Sequence, residues 1–199
     1  MTDYSEKEII IFKGVSKLMA DGADLSSIRS SRIAKARGVG KSTLYDYFKT
    51  KDEIIAKAIK YSIEIQMEKI RQIVDETEDF TRCVNLLFDQ MIANQSRTDS
   101  VFRYMVTLGG PGKIIRDLND TDDILWVENT LAELKRQTAK LLKKGEKRGV
   151  IKLSFENGYI AAVIKGVVAL FSDVNCDCAP FAAEKFKEYA YEMLVKALN

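Results

Sequence analysis

Apolar residues recur along this chain at steps of three and four, the repeat that lines one face of an α-helix. Ile11, Phe12, Val15, Leu18 and Met19 make the first such stripe. Ser5 and Glu8 precede it at the spacing of a capping box, and Asp21-Gly22 ends it. A polar stretch follows, with Leu25 and Ile28 as anchors. A second helix is expected from about Ser30 to Arg37, with Ile33 and Ala34 inward, and Gly38 closes it with a positive φ. Next comes a helix of barely two turns. Leu44 and Phe48 share one of its faces, and Val39 in the preceding turn joins them. Ser42, Thr43 and Asp46 point the other way, with Tyr45 and Tyr47 on the flanks. So short a helix is not stable alone, because nucleation is costly. It must be held by its neighbours while it presents small polar groups outward, as a helix entering a DNA groove does.

Thr50 and Glu53 form a second capping-box pattern ahead of a long helix, Lys51–Asp75. Its stripe runs through Ile54, Ile55, Ala58, Ile59, Ile63, Met67, Ile70, Ile73 and Val74. At about 1.5 Å per residue it spans roughly 35 Å. Cys83, Val84, Leu87, Phe88, Met91 and Ile92 mark a further amphipathic helix. Val101, Phe102, Met105 and Leu108 mark a short one, ended by Gly109-Gly110-Pro111-Gly112. A long helix is expected from about Asp122 to Arg148, acidic at its start and basic at its end, with Gly149 closing it. The next runs from a Ser154 cap to about Ser172, with Lys165 the only charge between Tyr159 and Ser172. A helix apolar nearly all round requires burial nearly all round. The last starts near Pro180, a residue suited to a first helical turn, and is expected to turn Phe186, Tyr189, Ala190, Met193, Leu194 and Ala197 to one side.

Every element is thus helical, and the fold class is all-α. Charge adds an asymmetry. Residues 1–60 hold 12 Lys/Arg against 8 Asp/Glu, while the rest hold 19 against 21. Between positions 29 and 51, seven basic residues (Arg29, Arg32, Lys35, Arg37, Lys41, Lys49 and Lys51) face one acid, Asp46. A local basic footprint on a near-neutral chain implies a polyanionic partner at one end. Arg29, Ser30, Ser31 and Arg32 crowd a helix start, a good place for a phosphate. No charged-then-apolar leader opens the chain and no apolar run approaches roughly 18 residues, so a cytoplasmic location without membrane contact is expected. Three cysteines, an odd number, fit a reducing compartment better than a disulfide framework.

Other chemistry is thinly represented. The chain has no histidine, which removes Ser-His and Cys-His catalysis, and no carboxylate pair stands out, so an enzyme is not expected. Gly109 to Lys113 resembles a phosphate loop superficially, but Thr107 and Ile114 stand where that pattern needs Gly and Ser or Thr. Cys176 and Cys178 form a C-x-C without nearby histidine, so no metal site and no cofactor are assigned. A helical adaptor that binds another protein is the alternative reading, but it leaves the basic, polar head unexplained.

From Ile33 the chain reads Ile-Ala-Lys-Ala-Arg-Gly-Val-Gly-Lys-Ser-Thr-Leu-Tyr-Asp-Tyr-Phe-Lys-Thr-Lys-Asp-Glu-Ile. The segment from about Glu8 to Ile59 resembles the DNA-binding head of the TetR family of bacterial transcriptional regulators, whose signature is roughly I-A-x-x-A-G-V-S-x-G-T-L-Y-x-Y-F-x-x-K-E-x-L. Arg37, Gly40 and Ser42 depart from it, standing where Ala, Ser and Gly are common, and Arg29 sits where a capping Thr is usual. The resemblance implies a helix-turn-helix head over residues 1–50, a connecting helix over 51–75, and a helical ligand-binding and dimerisation domain over 76–199. It implies a homodimer joined through the last two helices, bound to a palindromic double-stranded operator. The positions that meet DNA would be Ser30, Ser31, Lys41, Ser42, Thr43, Tyr45, Tyr47 and Lys51. The implied function is sequence-specific regulation of transcription, with repression relieved by a small effector. Phe88, Met91, Phe102, Tyr104, Met105, Trp126 and Phe171 are candidates to line its pocket, which favours an apolar or aromatic ligand.

Overall fold

The computed structural model describes residues 3–21, 23, 27–96, 121–171 and 180–199. They form eight helices: α1 (Glu6–Ala20), α2 (Ser30–Ala36), α3 (Lys41–Tyr47), α4 (Lys51–Glu76), α5 (Phe80–Ser96), α6 (Thr121–Lys147), α7 (Asn157–Leu170) and α8 (Pro180–Ala197). No strand occurs among the described residues. They fall into two compact units, the first reaching Gln66 and the second beginning at Met67, so that α4 contributes to both. The expected helices over Val101–Leu108, the glycine-rich stretch after them, Leu25, and Cys176 with Cys178 lie outside the described residues.

In the first unit, Ser5 caps α1 as expected. Its hydroxyl accepts from Glu8 N, and Glu8 accepts from Ser5 N at 2.9 Å. Ile11, Phe12 and Val15 are fully buried and Leu18 nearly so. Phe12 sits among aromatic rings, with Tyr4 at 5.1 Å, Tyr61 at 5.5 Å and Phe48 at 5.8 Å between centroids. Ser16 and Ser62 add a hydroxyl contact of 3.3 Å between α1 and α4. Gly38 adopts φ 65°, the left-handed turn that lets α2 stop and α3 begin. Arg37, unusual for its place, has a local reason. Its guanidinium donates to Lys13 O, and a Cβ on Gly14 would lie 3.1 Å from its Cγ. The missing side chain at Gly14 makes room for the arginine.

The second capping box differs from its pattern. Glu53 N donates to Thr50 Oγ1 at 3.0 Å as expected, but the Glu53 carboxylate accepts from Lys49 N at 2.7 Å rather than from Thr50. Burial raises the pKa of Glu53, but hydrogen bonds from Lys57 and Lys49 N outweigh it and leave the pKa lowered. An anchored carboxylate at this end also suits the helix dipole of α4.

The second unit is built on Phe80, Val84, Phe88, Leu142, Ile151, Val167, Phe171, Ala190, Leu194 and Leu198. Gly149, at φ 67°, ends α6 and turns the chain back, with Val150 N donating to Gly145 O at 2.9 Å. Lys152 N then donates to Leu198 O at 2.7 Å, which ties the returning strand of backbone to the end of α8. Leu153 and Phe155 pack against the core in this stretch, so α7 begins only at Asn157 and Ser154 is not its cap. The expectation of burial all round α7 also fails within one chain: Val167 alone is buried there, and Tyr159 is 45% exposed. On α8, Ala190 and Leu194 face inward as expected, but Tyr189 and Met193 are exposed, and Lys187 is buried instead. Burial works against the charge of Lys187, but hydrogen bonds to Asp89 and Glu184 prevail and raise its pKa.

A knot of ion pairs closes one end of this unit. Lys144 Nζ donates to Val74 O in the last turn of α4 and to Thr77 O just beyond it, at 2.5 and 2.9 Å. Lys140 pairs with Asp75 at 2.8 Å, and Arg148 pairs with Asp79 at 2.9 Å. The other oxygen of Asp79 accepts from Arg82 N at the start of α5. The basic end of α6 therefore holds the end of α4 and the start of α5.

Candidate nucleic-acid interface

Leu44 is fully buried and Phe48 is 2% exposed, and these two residues hold α3 against the first unit. Ile33 and Ala34 do the same for α2. The Phe48 ring lies 5.8 Å from that of Phe12, with Lys57 Nζ 5.5 Å from its centroid. The side of α3 away from these anchors carries Lys41, Ser42 and Asp46, all exposed. Thr43 is half-buried, and Tyr45 and Tyr47 are 45% and 42% exposed. A tyrosine that keeps almost half its surface in water while its helix is anchored offers its hydroxyl outward.

One contact joins the two helices of the motif on this surface. The hydroxyls of Ser30, at the start of α2, and Tyr45, in the middle of α3, lie 2.7 Å apart. Beside it, Ser27, Arg29, Ser31, Arg32 and Lys35 line a shallow depression. Neither α2 nor α3 has a side-chain cap, since Arg29 and Gly40 stand at those positions. Their first N–H groups are the kind of donors that phosphate oxygens take. The structure thus brings Ser30, Ser31 and Tyr45 into one neighbourhood, and Lys41, Ser42 and Thr43 share the first turn of α3. Lys51 begins the next helix, half-buried and 3.6 Å from Asp52. Lys35 belongs to the basic footprint read from the sequence, whereas Ser27 was not singled out there, and only its place in this depression brings it in.

The geometry is that of a helix-turn-helix, and residues 24–58 match the family model described as bacterial regulatory proteins, tetR family. The chain carries a TetR-family head. Beyond the head, the helical fold is shared with solved TetR-type regulators. The chain is similar along 100% of its length to the fatty acid degradation regulator FadR from Bacillus halodurans, with 99% of that chain covered, 19% identity and a TM-score of 0.69. It is similar along 96% of its length to the transcriptional regulator FadR from Bacillus subtilis, solved in complex with stearoyl-CoA, with 99% of that chain covered, 17% identity and a TM-score of 0.64. A TetR family protein from Vibrio parahaemolyticus shares the fold at 15% identity and a TM-score of 0.58, over 94% of this chain and 98% of its own. No curated protein sequence matches the chain.

The candidate ligand residues are less unified. Phe88 and Phe171 touch, with ring centroids 4.7 Å apart, and both are core residues, at 3% and 0% exposure. Phe186 packs edge-on to Phe171 at 5.4 Å, and Met91 is half-buried at the margin of the same cluster. Trp126 is half-buried on an early turn of α6. Phe102, Tyr104 and Met105 lie outside the described residues. Among the described residues no group of three His, Cys, Asp or Glu is placed to hold a metal ion, and no helix is long and apolar enough to cross a membrane. Cys83 is buried, and burial pushes its thiol pKa up, the opposite of an activated thiolate.

Proposed function

We propose that the protein is a homodimeric TetR-type repressor that releases its operator when an effector with an apolar or aromatic body binds the second unit. The observation that carries the reading is α3 itself: seven residues pinned by Leu44 and Phe48, with Ser42, Tyr45 and Tyr47 left outward. Ser42 and Thr43 read base edges, and Thr43 can also meet a thymine methyl. Lys41, Tyr45, Tyr47 and Lys51 hold the phosphate backbone, and Ser30 and Ser31 add contacts from α2.

Exposed apolar surface on α7 and α8 supports the dimer. Tyr159, Tyr189 and Met193 are 45%, 57% and 38% exposed, on helices otherwise suited to burial. Twofold pairing would bury them and give two heads for successive major grooves, about 34–36 Å apart. The unbroken helix α4 is the element through which effector binding would alter the spacing of the heads. The ligand of the Bacillus subtilis relative, stearoyl-CoA, carries a long apolar chain, in keeping with an effector of apolar body here.

Binding of the purified protein to the DNA upstream of its own and neighbouring genes, at several salt concentrations, tests the reading. A steep salt slope and a palindromic footprint are expected. Binding to no duplex would instead favour the adaptor. Thr43→Ala should relax sequence preference across a set of mutated operators, and an equal loss on every operator would remove Thr43 from base readout.

A further inference from the structure

Trp126, Thr130, Glu133 and Gln137 follow one another on α6 at steps of three and four, so they share a face. The first three are half-buried, and Gln137 is 1% exposed. The hydroxyl of Thr130 donates within its own helix to Trp126 O at 2.8 Å. Glu133 accepts two hydrogen bonds from Arg136, at 2.8 and 2.7 Å, and one from Gln137 Nε2 at 2.8 Å. The bonds from Arg136 and then Gln137 hold the Glu133 pKa down to about 2, so this carboxylate is ionised at neutral pH.

An ionised carboxylate only accepts hydrogen bonds. It therefore dictates that the NH2 end of the Gln137 amide faces it and that the carbonyl end faces away. Gln137 Oε1 is buried and has no hydrogen-bond partner among the described residues. Buried acceptors in folded proteins are paired with few exceptions, and each exception calls for an explanation. Ligand sites are mostly apolar with a few fixed polar groups that orient the ligand. Leu141, one turn beyond Gln137 on the same side, packs against the apolar core of this unit. An apolar body anchored at Gln137 would have apolar neighbours.

We propose that Gln137 Oε1 is the polar anchor of the effector site, and that the effector meets it with an uncharged O–H or N–H donor attached to an apolar body. This rests on the effector reading above and adds the chemistry of the head group. A carboxylate head is disfavoured, because an ionised carboxylate has no hydrogen to give the amide oxygen and would set two acceptors against each other. Helical spacing does not set Gln137 apart from Thr130 and Glu133; its oxygen without a partner among the described residues emerges only in the folded chain.

Titration of the full chain with 1-decanol, with its methyl ether and with decanoate tests the anchor, since only the alcohol is an uncharged donor. The native protein should bind the alcohol about tenfold more tightly than the ether, the usual scale of one buried hydrogen bond, and decanoate more weakly than the alcohol. Gln137→Met, with its fold checked by circular dichroism, should bind alcohol and ether alike. Equal binding of alcohol and ether by the native protein, tighter binding of decanoate, binding of none of the three, or a preference for the alcohol that survives Gln137→Met would each overturn the proposal. The native comparison decides even where the variant does not fold. Operator affinity measured in the same titrations separates the two readings: binding through Gln137 with operator affinity unchanged would keep the anchor and defeat the effector role.

Discussion

The hydroxyl of Ser30 lies 2.7 Å from that of Tyr45, so the first residue of α2 and the centre of α3 are joined on the exposed side of the head. Tyr45 has no comparable tether from its own helix, and nearly half of its surface is open. In the proposed interface, Ser30 would act partly by fixing where the Tyr45 hydroxyl points. Tyr45→Phe and Ser30→Ala should each weaken operator binding by a similar factor on every sequence, about fivefold for one hydrogen bond. The double variant should lose little more than either single one. Fully additive losses in a double-mutant cycle would show that the two hydroxyls work independently.

Gly145 lies within α6, where Ala would ordinarily stabilise the helix by about 1 kcal/mol. Here an added Cβ would come within 2.9 Å of Ile151 Cγ1 and of two carbons of the Phe80 ring. Both neighbours are core residues at 1% and 0% exposure, with nowhere to move. Gly145→Ala should therefore destabilise the protein, by about 1–3 kcal/mol as overpacked cores do. Urea denaturation should show a lower midpoint with an unchanged m value.

Lys144 gives the carbonyls of Val74, in the last turn of α4, and Thr77, just after it, a charged donor, and its side chain is only 16% exposed. Lys144→Met removes that donor and leaves Val74 O and Thr77 O to find others. The expected cost is about 1.5–3 kcal/mol, the range for hydrogen bonds to charged groups. Amide exchange should rise first over the final turn of α4, and exchange unchanged there would show that Lys144 does not hold it.

Glu133 gives the protein an acid-sensitive element. Its folded pKa of about 2 lies below the ordinary 4.5 of a glutamate, because Arg136 and Gln137 bond the ionised form. The stability it contributes is complete above pH 4.5 and is lost as pH falls from there towards 2. Its side chain is 30% exposed, so water screens part of that contribution. Glu133→Gln should flatten the fall of stability across this window, measured by urea midpoints at successive pH values. An unaltered pH profile would assign the acid sensitivity to other carboxylates.

Periodicity and end signals were enough to place most helices. The Ser5–Glu8 box, Gly38 and Gly149 each act locally, through a cap or a left-handed φ that neighbouring residues alone dictate. The pairing of Leu44 with Phe48 under α3 was legible for the same reason, since a fixed helical repeat assigns faces. The signals failed where packing competed with them. Ser154 could have capped α7, but Leu153 and Phe155 are drawn onto the core and delay the helix to Asn157. Tyr189 and Met193 read as inward residues, but the interior takes Lys187, whose charge is matched by Asp89 and Glu184.

By itself the sequence determined an all-helical chain, a basic head and the face of α3 that is left outward, because each follows from spacing within one helix or turn. Tertiary structure alone decided that Ser30 meets Tyr45, that Arg37 fills the space over Gly14, that Lys144 closes α4, and that Gln137 Oε1 is buried without a partner among the described residues. Most of these join residues from different elements. The last depends on what surrounds a side chain, which helical spacing does not encode.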